Sequence, residues 1–467
     1  MSLSLGLDTA VKALRAHQLA VDVASHNIAN AQTPGFSRQR VILRQDGISA
    51  TDRYSHDSLL GKAGMGVTAT NVDRVRDLFL DFQARQTLSA KSQYDAFSTA
   101  LGRAELTFNE PGENGIQALL GQFFDAWHDV VNDPESPAAR TALVHATTTL
   151  ASNIQRAAND LETLRTDVNQ NVVALEDEIN SRSAEISNLN RQIVQVEAGG
   201  DAANDLRDRR DLLLDQLSGI AQISYSESAT HSVTVYLGNH ELVSEYSFHA
   251  VDAVNDAAHP GMQKLVFQSD GLDVTSTSGK LRGLYDARDE AIPAVQDKLD
   301  TLASGMIQQV NDLHKVGFGL EGTTGLDFFT GTGATDIALN AVLAGDPQKI
   351  AVSSTAGTVG NADNGLAIAD LQQNSAVGPG GASFDQYYAS IVGVLGADVA
   401  RAQGITTANG LLNDHVEAQR QSVSGVNIDE EVTNMNASQH AYQAAARVIT
   451  TIDDMLDTLI NRTGVTR

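Results

Sequence analysis

Several short motifs in the sequence carry residue types that could do chemistry. HELVS at residues 240–244 starts like a zinc-binding helix, but it lacks the second histidine and lies in strand-like sequence. GTGATD at residues 331–336 lacks the third glycine of a dinucleotide loop and opens no clear βαβ unit. His314 follows Asp312 on a predicted helix, where a surface or capping role is a simpler interpretation than a catalytic dyad. We therefore predict no catalytic residue, no metal site, no cofactor and no enzymatic activity.

Two charged segments offer contacts rather than catalysis. DLRDRRD at residues 205–211 places opposite charges at helical spacing, which predicts a salt-bridged face exposed to solvent, with a subunit contact as the alternative. FSRQRVILRQ at residues 36–45 carries Arg38, Arg40 and Arg44 without an acidic residue. These arginines are either simply exposed or meet acidic surfaces of a partner, and the sequence leaves both open.

The composition narrows the classes of partner. The chain has 467 residues, a formal net charge of −26 and no cysteine. Such a negative charge repels phosphate backbones and anionic lipid surfaces, so we expect no nucleic acid and no membrane insertion. No segment approaches 18 consecutive apolar residues, and the first 30 residues lack the features of a signal peptide. If the protein leaves the cell, we expect export without a cleaved signal peptide.

The N-terminal segment predicts an amphipathic helix that stops abruptly. Its apolar residues follow the alternating four-three spacing of a coiled-coil seam, with Gln18 and Ser25 as polar members. The predicted seam residues are Leu7, Val11, Leu14, Val21 and Ile28. A helix-stop turn follows at Asn30, Thr33, Pro34 and Gly35, because a residue before proline leaves the helical region and glycine supplies the positive φ of a type II turn.

The C-terminal segment predicts a matching helix. Asn427 fits a helix N-cap, and acidic residues follow it in the first turn. The predicted packing residues are Ile428, Val432, Met435, Tyr442, Ile449, Ile452, Leu456 and Leu459. If the two terminal helices pair, apolar flanks remain at Leu3, Leu5 and Leu19 and at Val448, Ile452, Met455 and Leu459. We expect neighbouring copies to cover these flanks, and the ends of a free monomer to be mobile.

Between these ends the periodicity is mostly helical. Residues 143–196 mark one face of a very long helix or helix pair, residues 221–283 switch to strand-like alternation, and helix returns at 286–317 and 384–422. The fold class is therefore mainly α with a β-rich insertion. We expect a terminal coiled-coil domain of residues 1–35 plus 425–467, a long-helix bundle of residues 36–220 plus 284–424, and a small outer β domain of residues 221–283, to which residues 330–360 could add.

Both termini together resemble one known family. NIANAQTPGF at residues 27–36 and GVNIDEEVTNMNASQHAYQAAARVITTIDDMLDTLI at residues 425–460 are similar to the paired terminal signature of bacterial flagellar axial proteins. Three stretches resemble the hook-associated branch of that family. They are ANDLRDRRDLLLDQLS at residues 203–218, the run from GKLRGLYDARDEAIP to GTTGLDFF at residues 279–329, and the same C-terminal segment.

The resemblance implies a structural role at the hook–filament junction of the flagellum. It implies extracellular placement after type III export, a ring of copies of the chain on the hook tip, and contacts with hook protein and a second hook–filament junction protein. It also implies an export chaperone that binds the C-terminal region. Two alternatives remain open: a hook or rod axial protein, and a hydrolase of cell wall or glycan built on the central region.

Overall fold

The computed structural model describes residues 3–46, 66–112, 114–374 and 381–462. Its helices are α1 (Leu3–Asn30), α2 (Leu78–Phe108), α3 (Ile116–Asn132), α4 (Pro137–Ala198), α5 (Asn204–Ile220), α6 (Lys280–Tyr285), α7 (Ile292–His314), α8 (Ala341–Gly345), α9 (Asp363–Ala369), α10 (Phe384–Ser424) and α11 (Ile428–Asp457). Its strands are β1 (Gln39–Gln45), β2 (Val67–Arg74), β3 (Ile223–Glu227), β4 (Val233–Leu237), β5 (His240–Ser244), β6 (Ser247–Phe248), β7 (Val251–Asn255), β8 (Gln263–Phe267), β9 (Phe329–Thr330) and β10 (Ala338–Leu339).

The chain divides into two compact units. The first unit comprises Met1–Leu88, Asn180–Ala250 and Leu411–Arg467, and the second comprises Ser89–Ile179 and Val251–Gly410. The strands of residues 221–283 belong to both: the antiparallel sheet β3-β4-β5-β6 lies in the first unit, and the pair β7-β8 lies in the second. The three-part division expected from the sequence stays a prediction.

In the first unit, the two terminal helices pack against each other and run antiparallel. A Cβ atom built on Gly6 would lie 3.4 Å from the Cδ1 atom of Ile452. Near the other end of α1, Ser25 Oγ lies 3.8 Å from Met435 Sδ. Ile452 is therefore buried, which corrects its expected place on an exposed flank. The reason is local, because Gly6 has no side chain and leaves room for it. The side chains of Leu3 and Leu5 lie outside the described residues.

A β-hairpin covers another side of α1. Strands β1 and β2 pair antiparallel, with a bulge between Ile42 and Leu43, and both contact α1. Strand β2 lies within residues 36–220, which were predicted to belong to a long-helix bundle, so its strand conformation is a correction. Its alternation is weak because polar and charged residues occupy both faces of a two-stranded sheet that has solvent on one side. The glycine-punctuated stretch before Gly66 lies outside the described residues.

The segment of residues 143–196, predicted as one very long helix or a helix pair, forms a single helix. Helix α4 has 62 residues, and it ends where the sequence AGGDAAND interrupts the helical pattern. Of the residues marked on its predicted face, Leu143 through Ile193 are buried, and Val196 in its last turn is exposed. Sustained helical spacing of large aliphatic residues was thus a sufficient signal for this element.

The second unit has an aromatic core. Phe123, Phe124 and Trp127 lie on one face of α3 and are fully buried. The Phe328 ring packs 5.1 Å from the Trp127 ring and 6.2 Å from the Phe123 ring, measured between centroids. Spacing of three and four residues therefore directs these rings of α3 to one side, as expected for an amphipathic helix.

His314 lies in this core, which corrects the predicted surface or capping role. It is 1% exposed, and its ring packs on Phe328 with the centroids 5.4 Å apart. Nδ1 lies 2.7 Å from the Leu326 carbonyl oxygen, and Nε2 accepts the Ala351 amide at 2.9 Å. The ring is thus neutral, with its proton on Nδ1, and burial lowers its pKa to about 4.

This histidine predicts a loss of stability in mild acid. The neutral ring is favoured in the folded state, so stability is complete above the unfolded pKa of 6.5 and falls as the pH drops toward about 4. The loss should reach up to about 3 kcal/mol. The single tryptophan, Trp127, lies beside Phe328 and reports the unfolding of this unit by fluorescence. A His314→Gln variant should be less stable at pH 7 and lack this pH dependence, whereas the exposed His145→Gln should retain it.

Candidate assembly site

The NIANAQTPGF segment forms a helix end followed by a reversal. Helix α1 ends at Asn30, and the Thr33 amide donates to the Asn30 carbonyl at 2.9 Å. The Phe36 amide donates to the Thr33 carbonyl at 3.2 Å across Pro34 and Gly35, and Gly35 has φ +80°. The reversal returns the chain along α1, where it becomes β1.

Gly35 is also a close contact with α5. A Cβ added there would lie 3.0 Å from the Cβ of Leu212, which is tighter than ordinary van der Waals contact. Glycine is therefore required for two reasons, the left-handed backbone and the proximity of the helix.

We expect Gly35→Ala to lower the free energy of unfolding by about 2–3 kcal/mol, of which about 1–2 kcal/mol comes from the backbone conformation. Gly200→Ala is the matched control, because Gly200 has φ +92° with nothing within 4 Å of an added Cβ. It should lose only the backbone part. Urea unfolding of both variants measures the difference, and equal losses would show that Leu212 imposes no crowding.

A polar cluster joins the end of α1 to the start of α11. Asn27 Nδ2 donates to the Gln39 carbonyl at 2.8 Å and to Glu431 Oε2 at 3.0 Å, while the Gln39 amide donates to Asn27 Oδ1 at 2.9 Å. Arg38 Nε donates to Glu431 Oε1 at 2.8 Å, and its Nη2 donates to Glu430 at 2.9 Å. Asn27 and Glu431 are buried. Asn427 caps α11 by accepting the amides of the two residues that follow Ile428.

A larger ion-pair network fixes the same hairpin to α5. The Asp211 carboxylate accepts from Arg74 at 2.7 Å, from Arg76 at 2.9 Å and from Arg85 at 3.3 Å. Asp208 accepts from Arg74 at 2.9 Å and from the Ser37 amide at 2.9 Å. These acids come from DLRDRRD, and Asp208 and Arg210 in that segment are buried, so the predicted solvent-exposed face is wrong. The partners lie more than 120 residues away in the sequence.

The pKa values of the two acids, Asp211 and Asp208, are shifted in opposite directions. Burial by itself would raise the pKa of Asp211, but Arg76, Arg74 and Arg85 hold it well below its ordinary value. Burial raises the pKa of Asp208 in spite of Arg74 and the Ser37 amide. Asp211 is therefore the charge that the three arginines share, and each of them also pairs with a second carboxylate: Arg74 with Asp208, Arg76 with Asp81 and Arg85 with Asp215.

The predicted packing residues of both terminal helices are only partly covered. Leu7, Val11, Leu14, Leu19, Val21 and Ile28 on α1 are half-buried, as are Met435, Tyr442, Ile449 and Leu456 on α11. Ile428, Val432, Val448, Met455 and Leu459 are exposed. On α1 the residues with least exposure are Ala10, Ala16, Ala24 and Asn27, which the four-three spacing did not single out. Asn27 contacts both the hairpin and α11, and the other three are alanines, whose small size was the only sequence signal.

A second apolar patch was missed by the sequence analysis. Leu78, Phe79 and Phe82 lie in the first turns of α2 and are 70%, 71% and 46% exposed. Asp81 and Arg85, in the same turns, are buried and enter the ion-pair network. The usual amphipathic arrangement is thus inverted here, since charged residues are buried and aromatic ones face outward. Exposed patches of this kind mark interaction surfaces.

The motifs with possible chemistry have structural partners. HELVS forms strand β5. In GTGATD the Asp336 side chain accepts the amides of Thr332 at 2.8 Å and Gly333 at 2.9 Å, so the loop satisfies its own donors. Within the described ranges, no group of three or more His, Asp or Glu side chains is placed to hold a metal ion. None of the helices in that part of the chain is long and apolar enough to cross a membrane.

Comparison with known protein families gives matches for the central helices and for both terminal segments. Residues 101–329 match the family described as flagellar hook-associated protein FlgK helical domain. Residues 7–36 match flagella basal body rod protein, and residues 417–462 match flagellar basal body rod FlgEFG protein C-terminal. The two terminal helices with their turn are thus similar to those of a class of proteins, the flagellar axial proteins.

Within that class, the chain is similar over nearly its whole length to flagellar hook-associated protein 1. The protein of that name from Bacillus subtilis (strain 168) is 28% identical, over 99% of this chain and 98% of the relative. The one from Escherichia coli (strain K12) is 26% identical, over 97% and 99%. The structure of the flagellar hook junction protein FlgK from Burkholderia pseudomallei superimposes with a TM-score of 0.64 at 16% identity, over 73% of this chain and all of that one.

Proposed function

We propose that the protein is a structural subunit of the bacterial flagellum at the hook–filament junction. The observation that carries this proposal is the near full-length similarity to proteins named flagellar hook-associated protein 1, which includes the helical domain at residues 101–329. That domain favours the hook-associated branch over the alternative of a rod or hook protein, because the terminal matches are named for basal body rod proteins and the helical domain is not. The role is non-enzymatic.

We further propose the mode of assembly. The partly covered apolar residues of α1 and α11, with the exposed ones on α11, are completed by neighbouring copies in a ring on the hook tip. The terminal helices then form an inner coiled-coil layer, and the strands of residues 221–283 face outward. Apolar side chains contribute about 1.5–3 kcal/mol each when a partner covers them, so several per copy can hold a ring together.

The remaining partners follow from the same proposal. The ring contacts hook protein on one side and the second hook–filament junction protein on the other. The chain reaches this place outside the cell through the flagellar type III route, and an export chaperone binds its C-terminal region. Absence of cysteine suits a chain that is exported unfolded.

Electron microscopy of cells that lack the protein tests the proposed role. We expect intact hooks without filaments and flagellin released into the medium, and restoration of filaments by the wild-type chain. A rod or hook protein would instead leave cells without complete hooks. Normal filaments in the deletion strain would contradict the proposal, and an altered cell wall with normal flagella would favour the hydrolase alternative.

A further inference from the structure

The fully buried apolar residues of α1 and α11 are mostly small. Ala10, Ala16 and Ala24 are the buried apolar residues of α1, and Ala445 and Ile452 are those of α11. Alanines leave shallow ridges, so a shift of α11 by one helical turn would exchange one set of similar contacts for another. The four-three spacing of the larger residues also repeats after such a shift. Apolar packing alone therefore selects the register of these helices weakly.

One polar contact between the helices is specific. Glu431, in the first turn of α11, is 3% exposed, and Asn27, near the end of α1, is 0% exposed. Asn27 Nδ2 lies 3.0 Å from the carboxylate, whose other oxygen accepts Arg38 Nε at 2.8 Å. Asn27 cannot follow α11 if that helix shifts, because both its amide nitrogen and its oxygen are bonded to the Gln39 backbone.

A shifted register breaks this contact without replacing it. One turn of helix corresponds to about 5.4 Å along the axis, which is well beyond hydrogen-bond distance. The carboxylate would then lose a bond to a buried donor, and a buried charged group that loses a partner is strongly disfavoured. A single buried polar contact is a known means of fixing the register of paired helices.

We propose that Asn27 and Glu431 form a register lock for the terminal helix pair. This deepens the proposed function, on which its consequence for assembly rests, but the register itself is a property of the single chain. The lock fixes the axial position of the exposed Val448 and Met455 relative to α1. A shift of about 5.4 Å exceeds the distance of an apolar contact, so a shifted subunit presents these residues to the wrong part of its neighbour.

Cysteine cross-linking measures the register, and the natural chain contributes no background because it has no cysteine. Ser25→Cys with Met435→Cys reports the observed register, in which the two side chains are 3.8 Å apart. Ser25→Cys with Gln439→Cys, or with Val432→Cys, reports a shift of about one turn in either direction. With Glu431 present, the purified chain should favour the first pair by about tenfold or more. With Glu431→Ala, the shifted pairs should form in comparable yield.

Glu430→Ala is the matched control, since Glu430 is the neighbouring acid, binds the same Arg38 and is exposed. It should keep the preference of the natural chain. Glu431→Gln retains an acceptor for Asn27, so its preference for the 25–435 pair should lie between those of the natural chain and Glu431→Ala. Circular dichroism checks that each variant is folded. The lock is refuted if Glu431→Ala keeps the natural preference, or if Glu430→Ala loses it to the same extent.

Assembly in cells separates the lock from the proposed function. Glu431→Ala should fail to restore filaments to a deletion strain, and the disulfide between positions 25 and 435 should rescue it by restoring the register covalently. If the wild-type chain assembles and the disulfide does not rescue the variant, the defect is not one of register and the lock is refuted. If the wild-type chain itself does not restore filaments, the proposed function fails while the cross-linking result stands.

Discussion

Replacing Asp211 with asparagine should lower the free energy of unfolding of the first unit by about 3–5 kcal/mol. Its carboxylate is the common acceptor of Arg74, Arg76 and Arg85, and their side chains are 5–13% exposed. Asp211→Asn keeps the shape and removes the charge, so three guanidinium groups in a water-poor site lose their shared counter-charge. Each is left with its second carboxylate, on Asp208, Asp81 or Asp215. Removing one member of a buried ion pair costs far more than the intact pair contributes, because the remaining charge has already lost its water.

Urea unfolding followed by circular dichroism measures this loss. Asp205→Asn is the matched control, because Asp205 lies on the same helix and its exposed carboxylate binds His26 and Gln39. It should change stability by less than about 1 kcal/mol. Trp127 fluorescence should be unchanged in the folded state of both variants, since this residue lies in the other unit. Equal effects of the two substitutions would show that the three arginines do not depend on Asp211.

The charge of Asp211 also makes the stability of the folded chain depend on pH, in a direction that follows from its pKa. The pKa of Asp211 is lower in the folded state than the ordinary value of 3.8, so its stabilising effect is complete above that value and is lost as the pH falls through the folded pKa. The stability difference between the natural chain and Asp211→Asn should therefore be constant from neutral pH down to about 4.5 and shrink only below about 3.8. A difference that disappears already near pH 6 would contradict the assignment.

The second large effect, on assembly, is expected at the exposed stripe of α11, which we define as Val448 and Met455. Val448→Asp combined with Met455→Asp should abolish assembly, with a loss of more than about 100-fold in the association of copies, while the monomer keeps its stability within about 0.5 kcal/mol. Both side chains are nearly half exposed, at 48% and 47%, so the free chain loses little by the change. In the assembly each would place a charge where the proposed contact excludes water.

A control with the same charge and spacing is available on the same helix. Gln443→Asp combined with Thr450→Asp adds two acids seven residues apart on the face turned away from α1, at positions that are already polar and exposed. Restoration of filaments in a deletion strain measures assembly, and thermal unfolding of the purified variants measures stability. We expect the control to restore filaments. If the stripe variant restores them equally well, α11 does not use this face between copies.

Hydrogen exchange tests the state of the terminal helices before assembly. The sequence predicted mobile ends in a free monomer, and this stays a prediction. The structure pairs α1 with α11, and the pairing rests on alanine contacts and on the Asn27–Glu431 bond. Amides of residues 5–28 and 430–460 should therefore exchange faster in dilute solution than those of residues 143–196, which belong to a helix with a continuous row of buried aliphatic residues.

The sequence by itself determined the elements whose signal is local. The long helix α4 follows from the helical spacing of its aliphatic residues, and the start of α11 follows from the capping residue Asn427. The end of α1 near Pro34 has the same origin, because proline and glycine restrict or release the backbone whatever surrounds them. The terminal motifs also identified the class of protein, since their residues remain recognisable without any coordinates.

Only the tertiary structure decided which charged and histidine side chains are buried. Asp208 and His314 have sequence surroundings typical of surface residues, and each is buried because partners from distant segments satisfy it. Burial of a polar group is favourable only when its hydrogen bonds are complete, and completeness depends on residues far away in the chain. For the same reason the ladder of β2 and the contact between Gly6 and Ile452 appear only when the segments have been brought together.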